Sequence, residues 1–214
     1  MKRWAWLTIA LYVAFLSAFT VPVLLFLSKA DAAANVLLVF SIFLAPVLIL
    51  AQAVLLLVPL ASVQERPVKR RRIVVSAVIG AIPMALMTVG LFGSIALLVF
   101  GEGASGDYLY GWPTVSVFGA FWLVWGIMFW KTSVSRDPAS FTSTITRWLL
   151  KGSILELVVA VPSHIISRRR GECCAPTLTL MGIVTGLAVA MMSFGPGLFF
   201  LFARRIKDKR RAAT

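Results

Sequence analysis

Apolar residues run through this chain in long blocks, interrupted by short polar or basic connections. The blocks cover about 4–27, 36–63, 73–100, 113–130 and 177–203, with a less uniform one at about 148–167. A helix rising 1.5 Å per residue needs about 20 apolar residues to cross a hydrocarbon core of roughly 30 Å. The pattern therefore predicts an all-α fold, a polytopic integral membrane helix bundle of about six membrane segments, forming one domain over 1–214. The fifth segment is the weak one. From Ile154 to Ser167 it offers only 14 residues, so it reads as a short or re-entrant helix, or as a span that begins near Trp148 and leaves Lys151 to snorkel.

Just before it the pattern changes. Asp137 and Pro138 have the form of an N-cap followed by proline at the first helical position. Phe141, Ile145, Trp148 and Leu149 then recur at helical spacing, with Thr144, Arg147 and Lys151 elsewhere on the wheel, and Gly152 is placed to stop the helix. This predicts a short amphipathic helix over about 138–151 lying on the membrane surface. The alternative is a helix that continues into the next segment.

Within the blocks, prolines 22, 46, 59 and 83 predict kinks or interruptions. Gly80, Gly90 and Gly93 in the third block, and the GxxxG spacing of Gly182 and Gly186 in the last, predict close helix packing. Phe118, Phe121, Trp122, Trp125, Phe129 and Trp130 spread around the fourth helix and predict lipid contact. Ser193 to Gly197 carries two glycines and a proline and predicts a break in the last helix.

Composition agrees: 60% of the 214 residues are hydrophobic and only 14% charged, against about 25% charged in soluble domains. The first apolar block is longer than the roughly 7–15 residues of a signal-peptide core, so it reads as a retained helix; Ala30, Asp31 and Ala32 provide the alternative reading, a cleavage site. The net charge of +13 comes from basic clusters at helix ends. This is the signature of cytoplasmic loops and of attraction to anionic lipid, not of nucleic-acid binding. With six crossings and both termini inside, 17 basic residues face inward and 4 outward; a re-entrant fifth segment changes this to 14 and 7. The first arrangement predicts a bacterial inner-membrane protein with cytoplasmic termini, in contact with membrane lipids and open to homo-oligomers or a membrane partner.

Candidate chemistry concentrates between Gly152 and Pro176, which holds the only histidine, both cysteines and the triple arginine. Ser153 and Glu156 match a capping box; the competing reading makes Glu156 an intramembrane ionisable group on an ion or proton path. Ser163 shares its face, whereas His164 lies about 12 Å further along the helix and cannot touch Glu156. Gln52, deep in the second block, predicts an interhelical hydrogen bond. Arg168, Arg169 and Arg170 suit an anion or a lipid headgroup. Cys173 and Cys174 precede Pro176 at the start of the last helix, where the helix dipole and nearby arginines favour thiolates. Thiolates take soft metals such as zinc, copper or mercury, with His164 and Glu172 as further ligands. The paired cysteines ahead of a proline and a membrane helix resemble the vicinal-cysteine segments of bacterial mercury-uptake membrane proteins, although the other cysteine pairs of that family are missing here. The resemblance implies soft-metal handling at this loop. No Walker loop, dinucleotide fingerprint, HExxH or GxSxG is present. The functional expectation is a small transporter or metal-handling membrane protein. A non-catalytic membrane subunit or scaffold is the alternative, and a thiol enzyme acting on lipid or quinone a third.

Overall fold

The computed structural model describes residues 2–27, 42, 44–63, 70–109, 112–134, 138–171 and 179–194. Among them the chain is helical throughout, with six helices: α1 (Lys2–Leu27), α2 (Ala45–Val63), α3 (Arg70–Leu109), α4 (Trp112–Val134), α5 (Pro138–Arg169) and α6 (Thr179–Phe194). Three contain stretches long and apolar enough to cross a membrane: Val74–Gly101, Trp112–Thr132 and Ser143–Arg169. The apolar helical stretches Trp6–Ala18, Ala45–Leu56 and Thr179–Phe194 are shorter.

The outward faces are those of a membrane protein. Val99, Phe100, Leu123, Ile154, Leu155 and Val158 are all more than half exposed. Water would penalise such a surface by about 25 cal/mol per Å² of apolar area; hydrocarbon does not. The inward faces are built from small residues. Ala77, Ala81 and Ala85 of α3 and Ala160 of α5 are fully buried, which lets helix backbones approach closely.

α3 is the hub: α4 and α5 both pack along it, α2 packs against both α3 and α5, and α4 and α5 barely meet one another. Pro83 is accommodated within α3. The helix is interrupted at Gly101, whose φ of 67° and ψ of −174° are open to glycine and strained for other residues. Helical backbone then resumes to Leu109, where the sequence predicts a loop. Pro46, expected to interrupt the second helix, is the second residue of α2, where π-helical backbone at Ile42 and Leu44 gives way to the α-helix.

The fifth segment departs most from expectation. It is not short, and no separate helix covers 138–151; the alternative reading, a helix that continues into the next segment, is the one found. One helix of 32 residues runs from Pro138 to Arg169, about 48 Å at 1.5 Å per residue. Gly152 does not stop it. A Cβ there would lie 3.1 Å from Cε of Met87, so this glycine serves the close approach of α5 to α3. The capping box is not formed either: Ser153 is inside the helix and its hydroxyl donates to the carbonyl of Leu150 at 2.9 Å.

The aromatics of α4 also differ from expectation. Phe129 is buried, and the indole N–H groups of Trp122 and Trp125 donate to the Val78 carbonyl and to Thr88 Oγ1 on α3, at 3.1 and 3.0 Å. Phe121 stacks on Phe92 of α3 with 5.7 Å between centroids. One aromatic edge of α4 therefore docks on α3, leaving Leu123, Val124, Ile127 and Trp130 outward.

Candidate functional site

The buried face of α5 follows Ile145, Leu149, Ser153, Glu156, Ala160, Ser163 and Ser167. Steps of three and four keep these positions on one stripe. The first two are bulky and apolar; from Ser153 onward every member is small except Glu156, which is both large and ionisable. Glu156 is 1% exposed. It lies at the centre of the apolar span, thirteen residues from Ser143 and thirteen from Arg169.

Three glycines make room for it. A Cβ on Gly90 of α3 would overlap Oε1 of Glu156; a Cβ on Gly182 of α6 would lie 3.6 Å from Oε1, and one on Gly186 3.1 Å from Oε2. Gly182 also faces Ala160 and Ser94 Oγ, and Gly186 the side chain of Leu157. The GxxxG pair is thus occupied inside the chain, where α6 closes over α5. Tyr12 reinforces that closure by donating its hydroxyl to the carbonyl of Ala188 at 3.1 Å, tying α1 to α6.

Neither carboxylate oxygen has a hydrogen-bond partner among the described residues. Both are buried beside a cavity of about 160 Å³ whose polar lining is Glu156, Ser94, Thr185 and Thr114. Thr185 donates its hydroxyl proton to the Met181 carbonyl at 2.8 Å, which leaves its oxygen as an acceptor toward the cavity. The lining climbs from Gly90 past Ser94 and Leu97 to Thr114, the third residue of α4. The cavity therefore leads from mid-helix toward the end of the bundle where α3 finishes and α4 begins.

An isolated ionised carboxylate is very expensive to bury in a medium of low dielectric constant, whereas a proton or a bound cation removes most of that cost. Oxygen donors with no proton to offer suit a hard cation. The arrangement can thus accept a proton or a small cation from one direction.

The other residues singled out in the sequence are placed as follows. Ser163 shares the buried stripe with Glu156, and its hydroxyl donates to the Val159 carbonyl at 2.8 Å. Gln52 is 1% exposed, but neither atom of its amide has a partner among the described residues; the predicted interhelical bond is not formed there. Nδ1 of His164 lies 3.0 Å from Thr179 Oγ1, linking the outer part of α5 to the start of α6. Arg168, Arg169 and Arg170 are exposed at the C-terminus of α5, and Arg170 donates to the Leu98 carbonyl near the end of α3 at 3.2 Å. Glu172, Cys173 and Cys174 lie outside the described residues, as does the predicted break over 195–197. Among the described residues no three His, Cys, Asp or Glu side chains gather as a metal-ligand group.

Sequence reasoning missed Ser94 and Thr185. Their signal is positional: Ser94 follows Gly90 by four residues, and Thr185 sits between Gly182 and Gly186 on the same helical face. The chain matches no protein-family model, no curated protein and no solved structure.

Proposed function

We propose that this chain is a small multi-pass inner-membrane transporter whose working group is Glu156, a carboxyl that binds and releases a proton or a small cation. The observation that carries this reading is the pair of buried carboxylate oxygens, without a partner among the described residues, beside a cavity lined by Ser94 and Thr185. Ionisable groups in such positions are costly and typically mark ion or proton paths. A purely structural carboxyl would have been given a partner. The cavity supplies access from the α3–α4 end; the small-residue packing of α6 over Glu156 supplies a surface that can shift to give access from the other. Six crossings with cytoplasmic termini remain the arrangement that best follows the positive-inside rule.

Vesicles containing the purified full chain, with a potassium diffusion potential and an entrapped pH dye, test the reading. Wild type should take up protons, or a cation supplied outside, and Glu156→Gln should fall to the rate of empty vesicles. Equal rates for wild type and Glu156→Gln would overturn the role of Glu156.

A second reading, soft-metal handling at His164, Cys173 and Cys174, draws on the His164–Thr179 link, which brings α5 beside a residue five positions after Cys174. Elemental analysis of wild type beside Cys173→Ser/Cys174→Ser tests it. About one zinc, copper or mercury per chain, lost in the double variant, is the expected result; no metal after loading under reducing conditions would refute it.

A further inference from the structure

A second cavity opens about a quarter turn around α5 from Glu156. Because α4 and α5 both pack on α3 and hardly touch one another, a groove is left between them. It encloses about 230 Å³, floored by Met84, Met87 and Leu91 of α3 and walled by Trp125, Trp148 and Leu155. The two indoles stand 5.9 Å apart, tilted by 60°. The Thr88 hydroxyl in the lining is already used, donating to the Met84 carbonyl at 2.7 Å and accepting from Trp125 at 3.0 Å. That leaves Lys151 as the charged group open to a ligand, with the Trp148 indole beside it, and no acidic side chain among the described residues lines the groove.

We infer that this groove binds an anionic phospholipid of the surrounding bilayer, one acyl chain lying along the Met84–Met87–Leu91 floor and the phosphate meeting Lys151. Charge and depth both argue for it. Arg147 and Lys151 are exposed one turn apart on α5, an i, i+4 pair of like charges that destabilises a helix unless an anion sits between them. The span Ser143–Arg169 has 27 residues, about 40 Å against a hydrocarbon core of roughly 30 Å. Centred and upright, the span carries each end about 5 Å into the headgroup layer and sets the Cα of Lys151 about 7 Å below the hydrocarbon boundary. A lysine stem covers that distance by snorkelling, which brings its ammonium to phosphate level. Lys131, exposed in the last turn of α4, stands at the same end of the bundle. A cavity of roughly 150 Å³ holds a benzene, so this groove takes a stretch of acyl chain and leaves the headgroup outside.

The test is native mass spectrometry of the delipidated full chain in detergent, titrated with phosphatidylglycerol or with phosphatidylcholine of the same acyl composition. Wild type should retain phosphatidylglycerol about fivefold better, the contribution of one lysine near an anionic surface. Lys151→Gln should abolish the preference, and Lys151→Arg should keep it. Leu155→Trp, which fills the groove from its rim with Lys151 intact, should lower retention of both lipids. Equal retention of the two lipids by wild type, an undiminished preference in Lys151→Gln, or displacement of phosphatidylglycerol by soluble glycerophosphate would overturn the proposal.

Discussion

Gly90 and Glu156 compete for one volume: a Cβ on the α3 glycine would overlap Oε1 of the α5 carboxyl. The absence of a side chain at one position is what makes room for a carboxyl at the other. Two effects oppose each other in Gly90→Ala. Alanine favours a helix over glycine by about 1 kcal/mol, and overpacking costs about 1–3 kcal/mol. In wild type the overlap wins, and Gly90→Ala should destabilise by about 1 kcal/mol. In a Glu156→Ala background the obstacle is gone, and the same substitution should stabilise by up to about 1 kcal/mol. Unfolding in mixed micelles of all four members of the cycle reads this change of sign directly. The same sign in both backgrounds would mean that the two residues are not coupled.

The carboxyl itself should be a liability to the fold. A buried polar group without a partner costs about 1–3 kcal/mol, and leucine has nearly the volume of glutamate. Glu156→Leu should therefore raise stability by about 1–3 kcal/mol in the same unfolding assay, while proton or cation uptake is lost. A destabilised Glu156→Leu would show that the carboxyl is held by partners, and that its role is structural.

Tyr12 should matter at the scale of a single hydrogen bond. Its phenol is 4% exposed and bonds the Ala188 carbonyl, which otherwise serves only helical pairing in α6. Tyr12→Phe keeps the ring and removes the bond, so unfolding should be easier by about 0.5–1.5 kcal/mol. An unchanged value would mean that apolar packing alone docks α1 on α6.

Apolar block length made the helices legible, because lipid demands it: the third block, expected over about 73–100, corresponds to the span Val74–Gly101. The same rule failed at 138–167, where Gly152 and Lys151 look like the end of a helix. Local propensity lost to packing there, since Gly152 fits beneath Met87 and Lys151 faces outward beside Trp148. Glu156 was visible as an anomaly in an apolar run, but its meaning was not. Ser153 three residues earlier imitates a capping box, and only the register of α5 against Gly90 and Gly182 shows that the carboxyl points inward. Ser94 and Thr185 could not be chosen from among many serines and threonines, because their role depends on which helices are neighbours.

The end of α5 isolates a backbone effect from everything else. Gly171 has φ of 70°, and its N–H donates to the Arg168 carbonyl at 3.2 Å, while Arg170 N–H reaches Ile166 at 3.0 Å. This left-handed residue closes the helix by satisfying its last carbonyls. No described residue lies within 4 Å of where a Cβ would stand, so Gly171→Ala meets the conformational penalty of about 1–2 kcal/mol. The last turn should fray accordingly. Hydrogen exchange at the Arg170 and Gly171 amides should accelerate about five- to thirtyfold, the rate equivalent of that penalty, with the middle of α5 unaffected. Gly171→Asn, which tolerates the same backbone, should change it far less. Equal exchange in the alanine and asparagine variants would place the stop signal elsewhere, in the Arg170–Leu98 contact between α5 and α3.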